Sequence, residues 1–221
     1  MRTLAIGDIH GCRKALETLL QSIELQTDDL IITLGDYVNR GPDSKGVIEC
    51  LMDLAQKQQV ITLKGNHEIM MLRSKLEHNP TQWLAVGGDT TLDSYGAADW
   101  SGIPDEHWRF LEDTERYYET DTHFFVHAGV TAELALVDQK NYDLFWQFFP
   151  ESKPHISGKT MICGHSEVGD IPKNVGYAVC IDTKVYNGGW LTCLDAESGD
   201  YWQANEQGET RRGKVDSIIS D

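Results

Sequence analysis

Leu30-Ile31-Ile32-Thr33-Leu34-Gly35-Asp36 is an apolar run of strand length that stops at a glycine and an aspartate, and the same phrase stands on both sides of it. Upstream, Thr3-Leu4-Ala5-Ile6 ends in Gly7-Asp8; downstream, Val60-Ile61-Thr62-Leu63 ends in Gly65-Asn66-His67. Between these runs, residues 12–25 carry Ala15, Leu16, Leu19, Leu20 and Ile23 at helical spacing. A helix starting at Ser44 buries Val47, Ile48, Leu51, Met52 and Leu54, and Glu68 to Leu76 reads as the next one. Strand, polar loop and helix in alternation predict a βαβαβ first half with a mostly parallel sheet. In such sheets the loops after the carboxyl ends of the strands share one edge, where ligands bind.

Residues 77–122 are mixed, with helical patches around Trp83 and Trp108 and a turn-rich stretch from Gly87-Gly88 to Gly102, and read as an inserted helical cap. The second half is richer in β-structure: Phe124-Phe125-Val126 before His127, Thr160 to Cys163 before Gly164-His165, Tyr177 to Ile181, Trp190 to Leu194, and Tyr201-Trp202. The expected organisation is one domain over residues 1–203 with the cap inside it, and a loose polar tail over 204–221.

The 221 residues suffice for one substantial core, and 40% hydrophobic with 24% charged residues is ordinary soluble usage, which excludes a disordered or collagen-like chain. Lys+Arg 19 against Asp+Glu 35 gives a net charge of −16, which repels a nucleic-acid backbone and an anionic lipid surface. No nucleic-acid or membrane partner is expected. Cys12, Cys50, Cys163, Cys180 and Cys193 are odd in number and form no CxxC pair, so reduced thiols in a cytoplasm are expected. The opening MRTLAIGDIHG does not read as a signal peptide.

The strand-end residues carry the chemistry. Asp8 and His10 follow the first run, Asp36 the second, Asn66 and His67 the third; His127 and His165 follow β-runs of the second half. Each alone has an ordinary explanation: an aspartate as helix cap or turn residue, a histidine as a hydrogen-bonded surface or core group. Together, carboxylates, imidazoles and an amide oxygen suit borderline divalent ions such as manganese, iron or zinc. Even six of these seven groups exceed what one ion with open positions needs, and six are about right for two ions sharing one carboxylate.

Gly7-Asp8-Ile9-His10-Gly11, Gly35-Asp36-Tyr37-Val38-Asn39-Arg40-Gly41, Gly65-Asn66-His67-Glu68, His127-Ala128-Gly129 and Gly164-His165 together resemble the ordered signature of the PPP-type phosphoprotein phosphatases, metal-dependent serine/threonine enzymes of the calcineurin-like metallophosphoesterases. The resemblance runs from Met1 to about Leu194 and is closest to the compact bacterial and bacteriophage branch. It implies an α/β fold, a metallophosphoesterase-type β-sandwich flanked by helices, and two divalent metal ions per chain, manganese in an assay with iron or zinc as alternatives. By position, Asp8 and His10 would bind one ion, Asp36 would bridge, and Asn66, His127 and His165 would bind the other. Arg40 would grip phosphate oxygens and His67 would protonate the departing alcohol; the competing explanations are a solvated loop charge and a seventh ligand.

The chain also departs from that pattern. Asn39 stands where the family has an aspartate paired with the catalytic histidine, so its oxygen is expected to accept from His67 without adding negative charge, lowering the His67 pKa. The family's arginine two residues after a late tryptophan is absent from Leu144-Phe145-Trp146-Gln147-Phe148; Arg211 or Arg212 is a weak substitute. Lys184 replaces the glycine of a late IDTG element and is placed near the site mouth. The leading expectation is a two-metal phosphomonoesterase, a serine/threonine protein phosphatase acting on a phosphoprotein or small phosphoester. The alternatives are a symmetrical dinucleoside polyphosphate hydrolase, or a metal-binding protein with lost or reduced turnover.

Overall fold

In the computed structural model, which describes residues 1–149 and 152–215, β1 (Thr3–Ile6) and β2 (Leu30–Thr33) are buried along their whole length. That is why they read as continuous apolar runs rather than alternating ones: central parallel strands are covered on both faces. β1 pairs in parallel with β2, Ala5 opposite Ile32, and β2 pairs in parallel with β3 (Gln59–Thr62), Ile32 opposite Ile61. α1 (Arg13–Ile23) and α2 (Ser44–Ala55) are the crossovers, and α3 (Asn66–Leu76) follows β3. α3 starts two residues earlier than expected, at Asn66, because Glu68 folds back to accept the Gly65 N–H at 2.9 Å.

The middle of the chain holds α4 (Thr81–Trp83), a π-helical turn over Leu84–Gly88, α5 (Asp89–Tyr95) and α6 (Asp105–Glu112). Trp83, Ile103, Trp108 and Leu111 join the same apolar cluster as Leu4, Ile6 and the buried face of α1, so this stretch shares the main core. β4 (Tyr118–Glu119), β5 (His123–Phe125), α7 (Asn141–Trp146), β6 (Thr160–Cys163), β7 (Lys173–Asn174) and β8 (Ala178–Cys180) follow, with β9 (Leu191–Asp195), β10 (Asp200–Ala204) and β11 (Thr210–Lys214) last.

Two mixed sheets result, one in the order β11-β10-β9-β1-β2-β3 and the other β4-β5-β6-β8-β7. The period-2 alternation sorts the layers. Ala5, Ile32 and Leu194 of the first sheet meet Phe125, Ile162 and Val179 of the second in one apolar cluster. Leu4, Ile6 and Ile31 face α1 and α2 instead, and Phe124, Met161 and Cys163 face Leu144 and Phe145 of α7. This is the α/β sandwich flanked by helices that the sequence predicts.

The C-terminal expectation is corrected: residues 210–214 are no loose tail but the edge strand β11, paired antiparallel with β10, Trp202 opposite Arg212. Arg211 lies 4.1 Å over the Trp190 ring, and the Arg212 guanidinium donates to the Ser22 carbonyl at 2.9 Å. Both arginines are engaged there and neither lines the cleft described below. The rest of the expected tail, 216–221, lies outside the described residues. All five cysteines are free, and among the described residues no helix is long and apolar enough to cross a membrane.

Candidate active site

Asp8 and His10 follow β1, Asp36, Asn39 and Arg40 follow β2, Asn66 and His67 form the first turn of α3, and His127 and His165 follow β5 and β6. The carboxyl ends of these parallel strands open on one edge, and the side chains meet there. His10, Asp36 and His67 offer donor atoms within 4.8 Å of one another, and so do Asp36, His127 and His165. Asp36 belongs to both groups: its Oδ2 is 3.4 Å from His10 Nε2 and its Oδ1 is 3.5 Å from His127 Nε2. Asp8 lines the same cleft, with both carboxylate oxygens 3.1 Å from the His165 backbone N–H. Asp8, His10, Asp36, Asn39, Asn66, His67 and His127 are buried, and His165 is partly so.

The backbone is bent to make this possible. His10, Asp36, Asn39, Arg40 and His165 all have left-handed φ, between 46° and 72°, which few non-glycine residues adopt. A Cβ at Gly164 would collide with Asp8 Oδ1, and one at Gly65 with Asp36 Oδ1, so only glycine lets these loops close on the carboxylates.

The partner behind each imidazole decides what it presents to the cleft. His10 Nδ1 lies 3.1 Å from the Val38 carbonyl and His127 Nδ1 lies 2.8 Å from that of Leu34; each donates there and so keeps its lone pair at Nε2. The His165 ring is likewise hydrogen-bonded to the Trp146 backbone. The Asn66 amide nitrogen faces His127 Nε2 at 2.9 Å and both Asp36 oxygens at 3.2 Å; half a turn of the amide presents its oxygen instead.

His67 is the reverse case. The Asn39 oxygen accepts from the Trp83 indole N–H at 2.9 Å and from the Thr91 hydroxyl at 2.9 Å. An indole N–H only donates, so the amide nitrogen of Asn39 is the atom 2.8 Å from His67 Nδ1. This corrects the expected pairing, in which the oxygen of Asn39 would accept. The lone pair of neutral His67 is held at Nδ1 and its proton at Nε2, toward the cleft, which is the wrong form for a ligand through Nε2.

Burial sets the charges. Desolvation holds His10 well below the usual imidazole range, His67 and His165 at about 3 and His127 at about 4, with neighbouring Arg40 adding to the shift at His10, His67 and His165. The same desolvation raises Asp36 to about 7 and Asp182 to about 6, and lifts Asp8 well above the carboxylate range. Neutral imidazoles beside buried carboxylates whose desolvation outweighs the nearby Arg40 charge form a donor set that divalent cations would satisfy.

Arg40 is exposed beside the cleft, its guanidinium 4.5 Å over the Tyr186 ring and 3.1 Å from His10 Nε2. Tyr186 in turn donates to Glu167 at 2.5 Å, and Lys184 pairs with Glu167 at 3.5 Å. The cleft itself, about 450 Å³, is lined by Asp8, Asp36, Arg40, Asn66, His67, Phe148, His165, Ser166 and Glu167; Lys184 stands behind Glu167.

Sequence reading missed the supports. Glu68 is fully buried and accepts from the backbone N–H of Asp36 at 2.7 Å, Tyr37 at 2.8 Å and Gly65 at 2.9 Å, knitting the second loop to α3. Its place in the motif was visible; its hydrogen bonds were not. Glu68→Ala leaves these donors buried and unpaired and is expected to destabilise the fold by about 3 kcal/mol. At roughly 2–4 °C per kcal/mol, thermal unfolding followed by circular dichroism drops by about 6–12 °C; an unmoved midpoint would contradict the linchpin role.

Comparison with known proteins agrees with this geometry. The model of the calcineurin-like phosphoesterase family matches residues 1–188. The chain is 39% identical over 85 residues to serine/threonine-protein phosphatase 1 of Salmonella typhimurium, covering 38% of this chain and 38% of that protein. It is 33% identical over 136 residues to the symmetrical bis(5'-nucleosyl)-tetraphosphatase of Janthinobacterium sp., covering 59% of this chain and 44% of that protein. The matched stretch is thus less than half the length of either relative. A cold-active protein tyrosine phosphatase superposes with a TM-score of 0.70 at 17% identity, over 98% of this chain and 80% of its own, a likeness of fold. With strand-end donors gathered on one edge and the family pattern spanning most of the sequence, the chain belongs to the calcineurin-like phosphoesterases.

Proposed function

We propose that the chain is a two-metal phosphomonoesterase acting on phosphorylated protein side chains, the serine/threonine protein phosphatase of the sequence reading. The observation that carries it is that Asp36 places one carboxylate oxygen toward His10 and the other toward His127, because one carboxylate shared by two sets of donors is what a dinuclear site requires. Asp8, His10 and Asp36 would hold one cation, and Asp36, Asn66, His127 and His165 the other. When bound, such ions polarise the phosphoryl group and lower the pKa of a water.

The remaining work falls to the protein. Arg40 offers its guanidinium fork to two phosphate oxygens, and its stacking on Tyr186 fixes the direction of approach. His67 holds its proton at Nε2 and directs that N–H at the leaving oxygen as a hydrogen-bond donor, while Asn39, pinned by Trp83 and Thr91, acts as a positioning residue behind it. With a net charge of −16, attraction of an anionic substrate is left to the centre itself.

A second reading, symmetrical cleavage of dinucleoside polyphosphates, is favoured by two features: Asn39 in the second loop, and Phe148 rather than arginine two residues after Trp146. Protein loaded with manganese and assayed on a phosphoserine peptide and on diadenosine tetraphosphate separates the two. Two manganese ions per chain and phosphate release from the peptide are expected. Faster release of ADP from diadenosine tetraphosphate would transfer the assignment to the second reading, and a loaded protein that hydrolyses neither would be a metal-binding protein without turnover.

A further inference from the structure

Within Leu144-Phe145-Trp146-Gln147-Phe148-Phe149 one ring is treated differently from the rest. Leu144 and Phe145 are buried at the end of α7, Trp146 packs against the same apolar cluster, and Phe149 is buried. Phe148 is 59% exposed. The chain leaves the helix in extended conformation at Gln147, so side chains alternate: Gln147 packs on Gly129 and Phe149 turns inward, its N–H donating to the Ser166 hydroxyl at 2.8 Å. Phe148 is left facing the cleft, its ring centroid 5.5 Å from that of His165.

Every other residue lining the cleft is polar or charged, and among the described residues no other exposed large apolar side chain lines it. The cleft has two flanks. On one, Arg40, Tyr186 and His10 are in mutual contact; on the other, Phe148 rests on His165, which meets His127 at 5.0 Å. A phosphate held at Arg40 and the donor groups would extend its ester substituent along a cleft with one apolar wall.

We infer that Phe148 is a specificity-determining residue whose ring stacks on the aromatic leaving group of an aryl phosphomonoester, such as a phosphotyrosine side chain. This rests on the phosphomonoesterase reading and adds aryl esters to the serine and threonine esters of that reading. The ring abuts a candidate metal-binding imidazole, so the group it meets is one joined to phosphorus through the ester oxygen. A nucleobase, set back by a ribose, would lie farther out. Offset or tilted aromatic pairs of this kind are favourable beyond their buried area. Because such stacking is alike in ground and transition states, it acts on KM more than on kcat.

The test uses manganese-loaded protein and two peptides of one sequence, bearing phosphotyrosine or phosphoserine. Phe148→Ala is expected to lower the phosphotyrosine-to-phosphoserine ratio of kcat/KM about tenfold, through the phosphotyrosine KM, and Phe148→Tyr to restore it. An unmoved ratio, or equal losses in kcat on both peptides, overturns the inference alone. A loss confined to diadenosine tetraphosphate overturns it in favour of a nucleobase. No turnover of either peptide by the unmodified protein overturns it together with the proposed function.

Discussion

Asp36→Asn is expected to lower kcat/KM on every phosphomonoester by at least about a thousandfold, and to reduce bound manganese from two ions per chain to one or fewer. The carboxylate offers two oxygens, one toward His10 and one toward His127. An amide of the same shape offers one oxygen without charge, and its nitrogen repels a cation. The His67 backbone N–H can still donate to the amide oxygen where it now meets Asp36 Oδ1 at 3.0 Å, so the loops need not rearrange. Thermal unfolding separates loss of metal from loss of fold. In the folded, metal-free protein Asp36 is raised to about 7 by desolvation, from an ordinary value of 3.8. Folding therefore favours its protonated form, and stability from this group is lost as pH rises from about 4 through about 7. In EDTA at pH 8 the variant should melt above the unmodified protein. Manganese at a hundred times its dissociation constant adds about 2.7 kcal/mol, roughly 5–10 °C, to the unmodified protein, and the order reverses. A variant that kept both ions, or melted lower with and without metal, would show Asp36 to be a structural residue instead.

That Asp36 and its neighbours could be picked from the sequence follows from their position. β1 and β2 are covered on both faces, so they stand out as unbroken apolar runs, and the first polar residues beyond them are functional or capping by necessity. β11 gave no such signal. Thr210-Arg211-Arg212-Gly213-Lys214 is an edge strand of polar residues, held by its ladder to β10 and by Arg211 on Trp190, neither of which has a hydrophobic period. Phe148 was hidden for the opposite reason: five of the six residues from 144 to 149 are apolar, so the stretch reads as core. Only the extended backbone after α7 turns that one ring outward. The Trp83 and Thr91 contacts to Asn39 span 44 and 52 residues, and no local pattern encodes them.

Those long-range contacts govern the second large effect. His67→Asn is expected to lower kcat on a phosphoserine peptide by about 10²–10⁴-fold, and on p-nitrophenyl phosphate by about tenfold or less, because nitrophenolate departs without a proton. Manganese content should stay at two per chain. The alternative, His67 as a further ligand, is open on distance alone, since His67 Nε2 is 3.9 Å from Asp36 Oδ2. It conflicts with the Asn39 amide, whose nitrogen at 2.8 Å occupies the Nδ1 lone pair and keeps the neutral ring's proton at Nε2. A loss of one ion, with both substrates slowed alike, would restore the ligand reading. Asn39→Asp supplies the companion experiment. A carboxylate of the same shape still accepts from Trp83 and Thr91, but its second oxygen accepts from His67 Nδ1–H, so the ring can carry protons at both nitrogens. The added negative charge favours the doubly protonated ring, so His67 keeps a transferable proton to higher pH. The basic limb of the pH–rate profile on phosphoserine should move upward in this variant, with no matching shift on p-nitrophenyl phosphate. A limb that stays in place would mean that Asn39 positions His67 without setting its protonation.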